Sequence, residues 1–111
     1  GDGSQYRNFI YVEDLADAHV LALEDKAENQ ILNLEGIRRI TIKEMAETIQ
    51  KLVEKDVEIE FMPARPGDFE GKEASNDKIK RLLGWEPKVD FSEGMEKTIS
   101  WYKSDLLKMN N

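Results

Sequence analysis

Cysteine is absent from this chain, and histidine occurs only once, at His19. Without cysteine there can be no disulfide framework and no thiolate metal site, and a single imidazole cannot form a histidine cluster. We therefore expect no bound metal and assign His19 no role. Long apolar runs are also missing, since no stretch approaches the roughly 18 residues of a membrane-spanning helix, and no signal-peptide pattern opens the sequence. These absences favour a cytoplasmic protein with no membrane contact.

Positive charge is in short supply. The chain has 16 Lys and Arg against 23 Asp and Glu, which gives a net charge of −7 over 111 residues. A surface that follows nucleic-acid phosphates needs clustered cations, so this balance argues against nucleic acid as a partner. The length suits one compact domain, and no repeat or low-complexity tract divides it. We predict one domain, residues 1–111.

Apolar periodicity and capping residues predict about four helices. The first starts in an acidic turn, as the helix dipole favours, and has apolar residues on two sides, so we expect it to be covered on both. The second begins with a capping box formed by Thr41 and Glu44. The predicted helices are residues 13 to about 23, 42–53, 76–83 before Gly84, and a last one after Ser92. The last helix is expected to bury Met95, Ile99, Tyr102 and Leu106, and the tail beyond Lys103, which ends at Asn110 and Asn111, is expected to fray.

Three segments with β-type sequence predict short strands. Residues 9–12 and 31–34 are short apolar runs, which suits buried strands. Residues 57–61 alternate apolar and acidic side chains, as in a strand with one solvated face. Together with the helices they indicate a small mixed α/β domain, in whose core we place Trp85 and Trp101.

The segment between Pro63 and Asp68 is the strongest candidate for a binding loop. Pro66 presets φ and Gly67 tolerates positive φ, so the pair forms a turn that can hold Arg65 and Asp68 in a fixed relation. A guanidinium offers paired donors to phosphate oxygens, and a carboxylate accepts from the two hydroxyls of a ribose. The residues alone fit a nucleoside diphosphate site, and they also fit an ordinary surface turn.

Several short segments, in order along the chain, resemble one known family. They are Gly1-Asp2-Gly3, Arg7-Asn8-Phe9-Ile10-Tyr11-Val12-Glu13-Asp14-Leu15-Ala16, Leu32-Asn33-Leu34-Glu35-Gly36, Arg65-Pro66-Gly67-Asp68, Asp77-Lys78 before Leu82-Leu83-Gly84-Trp85-Glu86-Pro87, and Gly94 with Thr98-Ile99-Ser100-Trp101-Tyr102. Together they are similar to the extended short-chain dehydrogenases/reductases, and among these to nucleotide-sugar epimerases of the UDP-glucose 4-epimerase type. The resemblance implies the C-terminal, substrate-binding part of a Rossmann-type enzyme.

The resemblance also implies roles for individual residues. Arg7 and Arg65 match family positions that bind the nucleotide diphosphate, and Asp68 matches one that binds the ribose. Without the resemblance, Arg7 would be an edge charge beside a strand, and Tyr11 fits either a site or a packing position. Asn8, Leu32 and Glu35 depart from the family pattern, which leaves the exact UDP-sugar or other nucleotide-sugar open.

Two family elements are missing from the sequence. No glycine-rich strand-to-helix turn is present to hold the pyrophosphate of a dinucleotide. No Tyr-x-x-x-Lys pair occurs either, because the residues four positions after Tyr6, Tyr11 and Tyr102 are Ile10, Leu15 and Leu106. We therefore expect no catalytic residue here and no NAD bound by this chain alone, the NAD of the complete enzyme belonging to an N-terminal domain that this chain lacks.

Two other classes of function remain open from the sequence. Nucleotide-sugar dehydratases, decarboxylases and reductases share most of the segments quoted above. A free-standing, non-catalytic interaction domain with the same fold is the second alternative.

The apolar residues of the first helix and of residues 31–34 predict association. In a complete enzyme they would pack on the dinucleotide-binding domain, so the chain by itself should self-associate or bind a hydrophobic dye. Light scattering after size exclusion, together with a dye titration, measures both properties. A monodisperse monomer that binds no dye at high concentration would contradict this expectation.

Overall fold

The computed structural model describes residues 1–109. The chain beyond Lys103 is helical as far as Met109, contrary to the fraying expected there, and Asn110 and Asn111 lie outside the described residues. Within this range the chain forms a small mixed α/β arrangement, as predicted, with one two-stranded antiparallel sheet. Its pairs are Tyr6 with Thr41 and Arg7 with Ile40. The elements are β1 (Tyr6–Arg7), α1 (Val12–Leu21), a 3-10 turn (Asp25–Ala27), β2 (Ile40–Thr41), α2 (Ile42–Val53), α3 (Asp77–Leu83), α4 (Phe91–Trp101), a π-helical turn (Tyr102–Leu106) and α5 (Leu107–Met109).

Helix α2 starts where the sequence predicts. The Thr41 hydroxyl accepts a hydrogen bond from Glu44 N at 3.0 Å, which satisfies one of the free amides of the first turn. The Glu44 carboxylate turns outward and accepts from Arg38 Nη1 at 2.7 Å. The capping box is thus half formed, because the acidic partner pairs with an arginine.

Arg38 also reaches helix α4. Its Nε donates to Asp90 Oδ1 at 3.1 Å, and Asp90 is the N-cap of α4, where Oδ2 accepts from Ser92 N at 3.3 Å. Desolvation by itself would raise the pKa of Asp90, but the hydrogen bonds from Arg38 and Ser92 hold that pKa below its usual value. One guanidinium therefore links the start of α4 to the start of α2.

The main core lies between α1, α3 and the residues that follow α3. Its buried members are Ala18, Ile79, Leu83 and Trp85, and half-buried side chains such as Ile10, Leu32 and Leu34 pack against them. The Trp85 indole Nε1 donates to Asp14 O at 2.8 Å, so its polar atom is satisfied. The prediction of Trp85 as a core residue is confirmed.

Asp14 is the one buried charged residue among those described, with 4% of its surface exposed. Its Oδ2 accepts from Lys88 N at 3.0 Å and from Val89 N at 2.9 Å. An ionised acceptor bonded to two backbone donors is a strong arrangement, and it fixes the connection between α3 and α4 on the first turn of α1.

The three predicted strands are wrong for the described residues. Residues 9–11 are irregular and α1 begins at Val12, while 31–34 and 57–61 have no ladder partner within residues 1–109. A strand requires hydrogen bonds to a neighbour, whereas the apolar pattern reports only burial. Burial at 31–34 is real, because Leu32 and Leu34 pack on the core.

Several predicted core positions are exposed instead. Helix α1 is covered on the side of Ala18, but Val20 is 66% exposed, and the following Leu23 and Ile31 are each 85% exposed. Trp101, with about half its surface exposed, is not a core residue as predicted. The second side of α1 is therefore exposed in this chain, and what covers it in a complete enzyme stays a prediction.

Tyr102 also corrects a prediction, since half of its surface is exposed. Its neighbours in the last helix behave more as expected, because Met95, Ile99 and Leu106 are partly buried. Periodicity identified the apolar side of this helix but not which of its residues the rest of the chain covers. Among residues 1–109, no helix has the length and apolar character that a membrane span requires.

Replacement of the buried carboxylate should destabilise the chain. We expect Asp14→Ala to lower the free energy of unfolding by about 2–4 kcal/mol, because two backbone amides lose a charged acceptor in a partly buried place. Urea unfolding followed by circular dichroism measures the change. Asp17→Ala, at an exposed position of the same helix, is the matched control and should change stability by less than about 0.5 kcal/mol. Equal effects of the two substitutions would contradict the role given to Asp14.

Candidate functional site

The candidate loop forms the turn that its sequence predicts. Asp68 N donates to Arg65 O at 3.2 Å, and Gly67 has φ +86°, in the region that glycine favours. A Cβ built on Gly67 meets no atom within 4 Å, so the backbone angle and not lack of space explains glycine here. The turn holds Arg65 and Asp68 together.

Within this turn the two charged side chains differ in exposure. The Asp68 carboxylate points back into the loop, where Oδ2 accepts from Arg65 N at 3.3 Å and lies 3.7 Å from Arg65 Nε. Its side chain is only 25% exposed, whereas that of Arg65 is 87% exposed. The loop therefore fixes the carboxylate and leaves the guanidinium projecting into solvent.

The chain after the loop runs beside β1. Tyr6 N donates to Glu70 O at 2.8 Å, which brings the segment following Asp68 against the strand that contains Arg7. The Arg7 guanidinium carbon lies 4.1 Å from the centroid of the Phe69 ring, and Nη1 donates to Tyr6 O at 2.6 Å. The structure thus places Arg7 beside the residue that directly follows Asp68.

A second aromatic contact reinforces this alignment. The Tyr6 ring lies against Gly71, where an added Cβ would come within 2.6 Å of Tyr6 Cζ. The Arg39 guanidinium carbon lies 4.0 Å from the centroid of the same ring, and Arg39 also forms an ion pair with Glu73. A side chain at position 71 would therefore displace the Tyr6 ring.

Tyr6, Phe69 and Arg39 also belong to this region, although they were not predicted from the sequence. An aromatic residue adjacent to each candidate was the available signal, since Tyr6 precedes Arg7 and Phe69 follows Asp68. Aromatic rings often stack on arginine guanidinium groups in proteins, so an aromatic residue next to a candidate site residue predicts such a contact.

Glu35 has a structural role that accounts for its presence. Its backbone N donates to Asn76 Oδ1 at 2.6 Å, its backbone O accepts from Asn76 Nδ2 at 2.9 Å, and its carboxylate accepts from Ala74 N at 3.0 Å. These bonds fix the segment that connects the loop to α3. Glu35 therefore holds the segment directly before α3.

The remaining candidates have packing or surface positions. Tyr11 lies on α4, where a Cβ added to Gly94 would be 3.1 Å from Tyr11 Cδ2, so it is a packing aromatic. Tyr11 also lines an open apolar groove of about 580 Å³ with Phe9, Phe91 and Trp101. His19 lies on the helix surface, with Nδ1 2.8 Å from Leu15 O, in agreement with its lack of an assigned role.

Five of the seven glycines have places that packing or turns explain. Neighbouring protein atoms already occupy the space beside Gly36, Gly71 and Gly94. Gly84 is open but ends α3, and Gly67 lies in the turn described above. None of these five is a glycine-rich entry into a helix of the kind that holds a dinucleotide pyrophosphate. Within residues 1–109, no group of three or more His, Cys, Asp or Glu is placed to hold a metal ion.

Comparisons with known proteins give the same family as the quoted segments. The family described as GDP-mannose 4,6 dehydratase matches residues 1–98. UDP-glucose 4-epimerase of Rhizobium meliloti is 36% identical over 104 residues, which are 91% of this chain and 32% of that protein. UDP-glucuronic acid decarboxylase 1 of Danio rerio is 37% identical over 106 residues, covering 96% of this chain and 25% of its own length.

A solved structure agrees in fold. The UDP-glucuronic acid 4-epimerase of Bacillus cereus, in complex with UDP-glucuronic acid and NAD, superposes with a TM-score of 0.82 at 30% identity and covers 93% of this chain and 33% of its own. The chain thus spans about a third or less of the length of the relatives it matches. It belongs to the extended short-chain dehydrogenase/reductase family of NAD-dependent nucleotide-sugar epimerases and dehydratases.

Proposed function

We propose that this chain is the nucleotide-sugar-binding portion of an NAD-dependent sugar epimerase similar to UDP-glucose 4-epimerase. Arg7 and Arg65 bind the diphosphate, and Asp68 binds the ribose. The observation that supports this most directly is the alignment of β1 with the segment after the loop, through the Tyr6–Glu70 hydrogen bond and the Arg7–Phe69 stack. These contacts bring Arg7 against the segment that begins one residue after Asp68, which supports a site shared by the strand and the loop.

The side chains of the loop suit this division of roles. Arg65 is largely exposed, so its planar donors are accessible to two phosphate oxygens at once. Asp68 is held by the loop through Oδ2, which leaves Oδ1 to accept from a ribose hydroxyl. A carboxylate that is already fixed loses little conformational freedom on binding. Its hydrogen bond to a ribose should therefore raise the affinity for a nucleoside diphosphate over that for pyrophosphate.

The same contacts suit an epimerase in which the sugar must turn while its nucleotide stays bound. Diphosphate and ribose contacts hold the part of the substrate that does not react, so the sugar is free to present either face. The NAD of the complete enzyme would lie outside this chain, in agreement with the glycine packing described above. The structure of the Bacillus cereus relative holds both UDP-glucuronic acid and NAD, and this chain covers 33% of it.

A dehydratase or decarboxylase is the second candidate for the complete enzyme. The family that matches this chain is described as GDP-mannose 4,6 dehydratase, and the relative from Danio rerio is a UDP-glucuronic acid decarboxylase. All of these classes need the nucleotide to be held, so the proposed roles of Arg7, Arg65 and Asp68 do not depend on the choice. The groups that select the reaction would lie near the sugar and the NAD.

Substitution of the two arginines tests the site. The test protein is a chimera in which this chain replaces the corresponding third of the Rhizobium meliloti UDP-glucose 4-epimerase. We expect Arg7→Ala and Arg65→Ala each to weaken UDP binding by about 1.5–3 kcal/mol, the usual worth of a charge-assisted hydrogen bond. Arg65→Lys should recover only part of the loss, because an ammonium lacks the planar fork. Isothermal titration calorimetry measures the affinities.

The control and the discriminating arm of this test use two further positions. Arg81→Ala removes an exposed arginine from α3 and should leave UDP affinity unchanged. Asp68→Asn should weaken UDP but barely affect pyrophosphate, because pyrophosphate has no ribose. If every variant binds both ligands as the parent does, the loop is a structural turn and the proposed function is wrong.

The location of the NAD site gives a separate prediction. The 111-residue chain alone should show no NAD binding by calorimetry, because its glycines form no cradle for the pyrophosphate. The chimera, which restores a dinucleotide domain, is the positive control and should bind NAD. Tight NAD binding by the chain alone would contradict the proposed division of the enzyme.

A further inference from the structure

Carboxylates hold Arg38 and Arg39, and Arg39 also lies over the Tyr6 ring, whereas Arg7 has a ring contact and no carboxylate among the ion pairs of residues 1–109. Arg38 and Arg39 form hydrogen bonds with the carboxylates of Glu44, Asp90 and Glu73. Arg7 instead lies over an aromatic ring, with its carbon 4.1 Å from the Phe69 centroid. A carboxylate neutralises the charge that it orients, whereas an aromatic ring orients a guanidinium and leaves its net charge available.

The geometry of Arg7 leaves edge donors for a ligand. Its planar face contacts Phe69, and Nη1 donates to Tyr6 O at 2.6 Å. A guanidinium has five N–H donors in its plane, so stacking on one face keeps most of them accessible from the side. The long side chain is thereby restricted before any anion binds, which lowers the entropy lost on binding.

We propose that Phe69 is a positioning residue of the diphosphate site, which orients the Arg7 guanidinium for an anionic ligand through its ring. This inference rests on the proposed function of Arg7. In this proposal Phe69 contacts no phosphate itself. Its position directly after the loop places its ring against Arg7. Phe69 connects the loop to the strand through its contact with Arg7. A substitution at this ring therefore changes how Arg7 binds an anion, while the turn formed by Arg65 and Asp68 is unchanged.

Removal of the ring should not unfold the region. Phe69 is half exposed, and the alignment of its segment with β1 has independent support from the Tyr6–Glu70 hydrogen bond and from the packing of Tyr6 on Gly71. Phe69→Leu keeps an apolar side chain and removes only the aromatic face. Phe69→Tyr keeps the face and serves as the conservative variant.

The test uses the 111-residue chain, nuclear magnetic resonance and inorganic pyrophosphate as the probe. In the free chain, the Arg7 Nε–Hε signal should show a ring-current shift that Phe69→Leu abolishes and Phe69→Tyr retains. Pyrophosphate affinity should fall by about threefold to tenfold in Phe69→Leu, as expected for a lost cation–π contact, and recover in Phe69→Tyr. In an Arg7→Ala background, Phe69→Leu should have no further effect.

Phe61 provides a matched control for the substitutions at Phe69. Phe61→Leu replaces a phenylalanine of nearly equal exposure, 51% against 50%, and should change neither the Arg7 signal nor the affinity. If Arg7→Ala weakens pyrophosphate binding but Phe69→Leu does not, the positioning role is wrong and the site stands. If Phe69→Leu weakens pyrophosphate binding equally in the presence and in the absence of Arg7, the ring stabilises the conformation of the region and does not orient Arg7, and the inference also fails. If no pyrophosphate binding depends on Arg7, the proposed site itself fails.

Discussion

A single buried carboxylate determines how the two ends of this chain meet. Asp14 lies in the first turn of α1, where Oδ2 accepts from Lys88 N and Val89 N and its main-chain O accepts from Trp85 Nε1. These bonds join segments 71 or more positions apart. Since α1 follows closely on the strand that contains Arg7, they also fix the exit of β1 relative to α3 and α4. A buried anion is favourable here because backbone donors satisfy it.

Close backbone contacts, more than the sheet, then position the candidate site. The sheet has only two residue pairs, which is too small to be stable without support. Support comes from Gly36, where an added Cβ would lie 1.9 Å from Phe9 O, and from Gly71 beneath the Tyr6 ring. A side chain at position 36 would push the backbone at Phe9 away, and one at position 71 would displace the Tyr6 ring. The loop at Arg65 is therefore held in place from the strand side.

The sequence predicts the helices well because their signals are local. The cap at Thr41, the glycine after α3 and the spacing in α2 are all properties of a few neighbouring residues, and the structure agrees with each. Strands depend on a distant partner, so apolar runs such as 31–34 were assigned wrongly. Exposure of Trp101 was missed for a related reason, since periodicity shows which side of a helix is apolar and not what covers it.

The candidate site shows the same division between local and distant information. The turn that joins Arg65 to Asp68 is encoded in four adjacent residues, and the structure forms it. The stack of Arg7 on Phe69 could not be predicted, because it depends on the alignment of β1 with a segment more than 60 positions away. No signal within either segment specifies that alignment. It arises from the Tyr6–Glu70 hydrogen bond, which involves backbone groups that every residue type has.

The charge distribution explains why this alignment matters for an anionic ligand. With a net charge of −7, the chain as a whole repels a diphosphate, so any binding must come from cations whose charge is not cancelled locally. Arg38 and Arg39 are engaged by carboxylates and contribute to the connections between elements. Arg7 rests on an aromatic ring, and Arg65 is exposed with its nearest carboxylate contact at 3.7 Å. Arg7 therefore keeps its positive charge where the segment after the loop meets the strand, and Arg65 keeps its donors exposed to solvent while it pairs with Asp68.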